Sequence, residues 1–160
     1  MQRLAAGAVA GLAATVPMTA AKKLAQGMLP AHERHPLPPR HIMMRSLRKA
    51  GLRPHATLHE PQRRALTLAA HYGYGTGAGA LFGLLAPRNM PDAVAAGVGY
   101  GLIVWAASYL GLMPALDLHR PATREPAGRN TLMIAAHLVW GATAGLLTHA
   151  MAGTDAARER

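Results

Sequence analysis

Cysteine is absent from this 160-residue chain, and both aromatic and acidic residues are scarce. The lack of cysteine excludes disulfides, thiolate nucleophiles, Cys-ligated zinc and iron–sulfur clusters. Charged residues make up 15% of the chain, against roughly 25% in an average soluble domain. Aromatic residues make up only 4%, although 51% of the chain is hydrophobic. Because a water-soluble core normally uses more aromatics, the composition favours a membrane protein.

The sequence also lacks the usual marks of an enzyme or a nucleic-acid-binding protein. No charged nucleophile–base pair lies in an apolar segment, and there is no phosphate-binding glycine loop and no HExxH pattern. The chain has seventeen Lys and Arg but only seven Asp and Glu. No aromatic platform or base-reading motif accompanies these cations. We therefore predict neither an enzymatic activity nor a nucleic-acid partner. The abundance of Arg, Ala and Gly is typical of a GC-rich bacterial genome.

Four apolar windows are long enough, or nearly so, to cross a bilayer, which needs about 20 mostly apolar residues. None of them contains Asp, Glu, Lys or Arg. We therefore predict an all-α, polytopic four-helix bundle in the bacterial inner membrane, forming one domain over residues 1–160 with the lipid bilayer as its partner. A cleaved signal peptide is the alternative for the first window. The windows are residues 4–21, 65–86, 93–116 and 131–152.

The basic residues predict an orientation. The Pro-rich loop 22–64 carries ten Lys and Arg and the segment 117–130 carries three, which leaves four elsewhere. With four spans, these two loops lie on the same side of the membrane. The positive-inside rule places that side in the cytoplasm, with both termini outside. Within the first loop, residues 41–51 favour either a short amphipathic helix at the membrane surface or a solvated charged loop.

One pattern, Ala-Ala-(Gly or His)-x-x-x-Gly, recurs in all four windows. Its alternation of Gly and His suggests a duplicated two-helix hairpin, with coincidence in an Ala/Gly-rich chain as the alternative. Small residues four apart let helices pack closely in lipid. Gly99 lies on a different side of its helix from Gly97 and Gly101. The helices therefore have more small-residue faces than their internal contacts need, which predicts a homo-oligomer. The predicted helix-packing residues are Gly7, Gly11, Gly75, Gly79, Gly83, Gly97, Gly101, Gly141 and Gly145.

His71 and His137 are the candidate functional residues. Each lies four residues before a packing glycine and is the seventh residue of its window, so both should lie level, roughly 9 Å inside the membrane. An ionisable group at that depth is a functional candidate, because its placement there is costly. Three hypotheses remain open: a purely structural hydrogen bond, a proton-responsive pair, and a haem or metal site. We predict no cofactor, and whether a metal binds is open.

Several short motifs resemble the YagU-like family of small bacterial inner-membrane proteins, a domain of unknown function. They are Pro36-Leu-Pro-Pro-Arg40, Ala70-His71, the stretch from Gly111 to Leu118, and His137-Leu-Val-Trp140. The resemblance implies an all-helical membrane protein with a loose association with acid resistance.

The hypothesis that follows is a small integral membrane protein that contributes to acid or envelope-stress tolerance through its histidine pair. The alternatives are a small b-type haem or metal-binding protein using His71 and His137, and a structural subunit of a larger membrane complex.

Overall fold

The computed structural model describes residues 2–34 and 38–158, and no strand occurs in these two ranges. The long helices are α1 (Gln2–Met28), α4 (Glu60–Leu85), α5 (Met90–Ala106) and α7 (Ala127–Arg158). Shorter elements connect them: a 3₁₀ turn (Ala31–Glu33), α2 (Pro38–Lys49), α3 (Pro54–Thr57), a π-helical turn (Ala107–Leu112), α6 (Met113–Ala115) and a second 3₁₀ turn (Ala122–Arg124).

Three helical stretches of the described chain are long and apolar enough to cross a membrane: Gln2–Met28, Met90–Ala115 and Ala127–Ala152. The prediction of membrane-spanning helices therefore holds for three of the four windows. The remaining window, 65–86, belongs to α4, which is long enough but less apolar. Its first turns carry Arg63 and Arg64, and the window itself holds His71 among several Tyr and Gly residues.

Glycines set the distance between α1 and α4. A Cβ atom added to Gly7 would lie 2.6 Å from the Cα of Gly83, and one added to Gly11 would lie 2.7 Å from the Cα of Gly79. Real Cβ atoms do not approach so closely, so a larger residue would force the two backbones apart. Gly75 faces α1 as well, against the side chain of Thr15.

Glycines also set the distance between α5 and α7. A Cβ on Gly141 would lie 2.8 Å from the carbonyl carbon of Gly97, and one on Gly145 would lie 2.9 Å from that of Ala93. One on Gly101 would lie 3.2 Å from the carbonyl carbon of His137. All nine glycines predicted to pack helices thus lie where an added methyl group would meet the neighbouring helix.

The two helix pairs join through α1 and α7. Ala14 and Met18 pack in one buried cluster with Ala136, Trp140 and Ala144. The indole Nε1 of Trp140 donates to the carbonyl oxygen of Gly11 at 3.2 Å, which fixes the large ring beside the α1–α4 contact.

On the opposite side, α4 and α5 are bridged by hydroxyl groups. Tyr100 donates to the carbonyl oxygen of Ala78 at 3.0 Å, and the hydroxyls of Tyr74 and Ser108 lie 2.8 Å apart. The four long helices therefore form a ring in the order α4, α1, α7, α5.

The two basic segments meet at one end of this ring. Arg45 of α2 pairs with Asp117 at 2.6 Å, and Arg129 donates to the carbonyl oxygen of Glu33 at 2.9 Å. The short helix predicted within residues 41–51 is present as far as Lys49, and α2 begins earlier, at Pro38. Its location at the membrane surface stays a prediction. Proline suits a first helical turn because it has no backbone N–H to leave unpaired. Met44 is buried, so the apolar side of α2 faces the protein.

Candidate functional site

A cavity of about 160 Å³ lies inside the ring of long helices. All four long helices line it, together with the π-helical turn, and α2 contributes Pro39 and Ile42. Its polar side chains are those of Thr15, Lys22, His71, Tyr74, Ser108 and His137, and its larger apolar ones include Met18, Val104, Met113 and Trp140. The cavity thus has polar and apolar walls.

Lys22 is the functional candidate that the sequence did not reveal. The sequence places Lys22 outside the first window, at the start of the basic loop 22–64. Instead α1 continues to Met28, and Lys22 is only 2% exposed whereas Lys23 is exposed. The spacing of Gly11, Thr15, Met18 and Lys22 puts these residues on one helix face. This spacing is the signal in the sequence that Lys22 lies on the packing side of α1.

The amine of Lys22 pairs with His71, since Nζ lies 3.0 Å from the imidazole Nε2. A protonated amine can only donate, so Nε2 accepts and the ring proton of neutral His71 is assigned to Nδ1. The structure therefore gives His71 a partner on α1. In the described chain, the hydrogen bond of His71 goes to Lys22 and not to His137.

His137 lies on the same cavity wall and is 5% exposed. Its Nδ1 is 2.7 Å from the carbonyl oxygen of Met133, one helical turn earlier. Because a carbonyl only accepts, Nδ1 carries the proton and Nε2 is left as an acceptor. The ring of Tyr109 stands edge-on to the imidazole, with 6.0 Å between the centroids. His71 and His137 thus share one cavity, each with its own hydrogen-bond partner.

The π-helical turn contributes Ser108 and Tyr109 to the same cavity. Such turns are rare and are found frequently at functional sites. Widening the helix here brings the Ser108 hydroxyl to Tyr74 of α4. The apolar run of window 93–116 gave no indication of this break in the helix.

Ion pairs connect α2 to Glu60 of α4 and to Asp117. Hydrogen bonds from Arg40 and then Arg63 lower the pKa of Glu60 to about 2. The hydrogen bond from Arg45 lowers the pKa of Asp117. Since these folded-state values lie below the unfolded ones, the pairing contributes above the unfolded pKa and is lost only as pH falls through the folded one. Both carboxylates therefore keep their charge in mildly acidic conditions.

His41 lies on α2. Burial is the largest cause that lowers its pKa, and nearby positive charges lower it further.

A metal site receives no geometric support from the described residues. They contain no group of three or more His, Cys, Asp or Glu side chains close enough to hold an ion. The His71 nitrogen that would bind a metal or haem iron already faces the Lys22 amine.

Comparison with known proteins gave no match: no protein-family model fits the chain, and neither curated proteins nor solved structures are similar to it. The resemblance to the YagU-like family therefore rests on its short motifs alone. Of these, Pro36 and Leu37 lie outside the described residues, whereas Ala70, His71, His137 and Trp140 all line the cavity.

Proposed function

We propose that this chain is a small inner-membrane protein whose internal cavity responds to protons through His71 and His137. In this proposal it contributes to acid or envelope-stress tolerance, as the YagU-like resemblance suggests, and has no enzymatic activity. Three apolar helices support insertion into a membrane. The proposal adds α4 as a fourth span, because Gly75, Gly79 and Gly83 pack along α1.

The observation that carries the proposal is the contact between buried Lys22 and half-buried His71, on the wall that also holds His137. Placing three ionisable groups inside a membrane bundle is costly, and a purely structural contact would not need them. A single hydrogen bond across a helix interface requires only one polar side chain on each helix.

Charge explains how the cavity would respond to pH. The groups that face the histidines are Lys22 from α1, Tyr74 from α4 and Tyr109 from the π-helical turn, whereas α2 presents Pro39 and Ile42. No Asp or Glu is among the described residues of the wall. A proton taken up by either histidine would therefore add a positive charge near Lys22 with nothing to neutralise it.

That added charge would destabilise the closed bundle. Like charges repel strongly where water is excluded, and a buried charge without a partner draws in water or moves away. His137 lies where its backbone touches Gly101 of α5, at the glycine contact between two helices. We expect protonation to loosen this contact and admit water to the cavity.

The other two functional hypotheses have less support. A b-type haem ligated by both histidines would need His71 to leave Lys22, and a flat macrocycle would have to fit a cavity of about 160 Å³. A structural subunit of a larger complex explains the exposed apolar faces but not the contact of buried Lys22 with His71.

Trp140 lines the cavity and can report its state by fluorescence. We expect the full chain in lipid nanodiscs, with Trp105→Phe removing the second indole, to change its emission reversibly as pH falls from about 7.5 to about 4. The range extends below the ordinary titration of histidine at about 6.5, because burial and the charge of Lys22 oppose protonation. His71→Gln and His137→Gln should each reduce the change, because Gln keeps hydrogen-bonding capacity but does not titrate.

The matched control is His55→Gln at an exposed position of α3, which should retain the full change. If the single His71 and His137 variants and the double variant all titrate like the parent, both histidines are structural and the proposal is wrong.

A further inference from the structure

Lys22 is a buried cation without a counter-ion. It is 2% exposed, its hydrogen-bond partner is an imidazole, and no Asp or Glu lies on the described cavity wall. A charge in a low-dielectric interior is costly unless an opposite charge accompanies it. Since the described chain does not place an anion there, a bound anion would supply one.

The free donors at this end of the cavity suit a carboxylate. An ammonium group has three N–H donors, and one points to His71, so two remain. The bond between the hydroxyls of Tyr74 and Ser108 engages one of their two hydrogens, so the amine, with two N–H groups and a positive charge, is the main donor. Two oxygens of a carboxylate could accept both remaining N–H groups, and such charge-assisted bonds are stronger than neutral ones.

Much of the remaining wall is apolar and includes Met18, Val104 and Trp140. Its volume is about 160 Å³, and an apolar cavity of about 150 Å³ is large enough for benzene. The space therefore fits a compact apolar group of roughly the size of one ring.

From these features we propose that the cavity binds a small apolar monocarboxylate, with the carboxylate on Lys22 and the apolar group between α1, α5 and α7. The inference rests on the proposed function in taking this cavity as the functional site. It adds a ligand class: a bound carboxylate would offset the charge of Lys22 and make protonation of His71 easier.

Benzoate is the probe, because it combines one carboxylate with one ring. We expect calorimetric titration of the full chain, in phosphatidylcholine nanodiscs at a fixed pH of about 7, where benzoate is ionised, to detect saturable benzoate binding. Benzyl alcohol has the same ring and no charge, and it should bind at least about tenfold more weakly, since it loses the charge-assisted hydrogen bonds.

Lys22→Met removes the charge and keeps the length of the side chain, and Lys23→Met makes the same change at the neighbouring exposed position. The first variant should weaken benzoate binding at least about tenfold, and the second should not. Thermal unfolding without ligand establishes that both variants fold. Equal benzoate affinity in the two variants, or equal binding of benzyl alcohol and benzoate to the parent, would contradict the proposal.

The carboxylate could come from water or from the bilayer, and palmitate separates the two sources. Benzoate binding that palmitate does not affect assigns the site to small soluble acids, as the cavity volume predicts. Palmitate that displaces benzoate would assign it to membrane fatty acids and contradict the limit on ligand size. Absence of benzoate binding in a chain that still shows the histidine-dependent pH response overturns this inference alone. Benzoate binding without that response overturns the proposed function alone.

Discussion

Gly79 and Gly77 lie two positions apart on α4 and differ completely in surroundings. A Cβ atom on Gly79 would lie 2.5 Å from the Cα of Gly11, whereas one on Gly77 would meet nothing within 4 Å. We expect Gly79→Ala to reduce the free energy of unfolding by about 1–3 kcal/mol, because two backbones would have to separate. Gly77→Ala should be neutral or stabilising by up to about 1 kcal/mol, since alanine favours helix.

The measurement for this pair is reversible denaturation in mixed micelles, followed by circular dichroism. A loss of stability that is equal for the two alanine variants would show that the close contact between α1 and α4 is not needed for stability.

The packing positions and the histidines could be predicted because spacing alone determines which side of a helix they share. Lys22 could not be predicted in the same way. A lysine at the end of an apolar window usually extends to the membrane surface, whereas tertiary contacts, among them the one with His71 of α4, bury this one. The hydrogen bond to His71 crosses 49 positions of the chain, so no local pattern contains it.

Among the connecting elements, α2 shows how the basic loop is organised. Pro38 starts the helix, Met44 is buried, and Arg40 reaches Glu60 of α4 through two hydrogen bonds of 2.6 and 2.8 Å. The amphipathic pattern favoured a helix as one of two interpretations of this segment, but its ion pairs join residues that are distant in the sequence, so no local pattern contains them. Because these pairs are exposed, each contributes little to stability, and their main effect is to orient α2.

The orientation of the helices can be tested because the natural chain has no cysteine. Arg53→Cys lies in the basic loop after α2, and Arg88→Cys lies at the opposite end, between α4 and α5; both positions are exposed. With the basic loop in the cytoplasm, a membrane-impermeant maleimide should label only the Arg88→Cys variant in intact cells. Both variants should react after permeabilisation. Labelling of the Arg53→Cys variant alone in intact cells would mean that the chain has the reverse orientation.

The two helix pairs resemble each other in their contacts, which supports the proposed duplication of a hairpin. In the first pair, a Cβ on Gly11 would meet the backbone of Gly75. In the second pair, one on Gly101 would lie 3.3 Å from the Cα of Gly141. These glycines occupy equivalent positions of the repeated pattern, and His71 and His137 occupy another equivalent pair. The cavity lies where the two hairpins meet, so it receives one histidine from each.

The outer face of α5 is the proposed site of self-association. Gly99 is exposed, and an added Cβ would meet nothing within 4 Å, whereas Gly97 and Gly101 on the same helix face α7. In lipid, an exposed small residue lets a second helix approach closely. We therefore expect a homo-oligomer in which Gly99→Leu weakens association by about tenfold, equivalent to about 1.4 kcal/mol, without unfolding the protomer.

Gly77→Leu is the matched control, because Gly77 is equally exposed but lies on α4. Association is measured by energy transfer between labelled copies in liposomes at increasing dilution in lipid, with circular dichroism to show that each variant is folded. If the interface lies on α5, only Gly99→Leu shifts the dilution at which energy transfer is lost. A shift with Gly77→Leu alone would place the interface on α4, and absence of energy transfer in the parent chain would mean that the protein is monomeric.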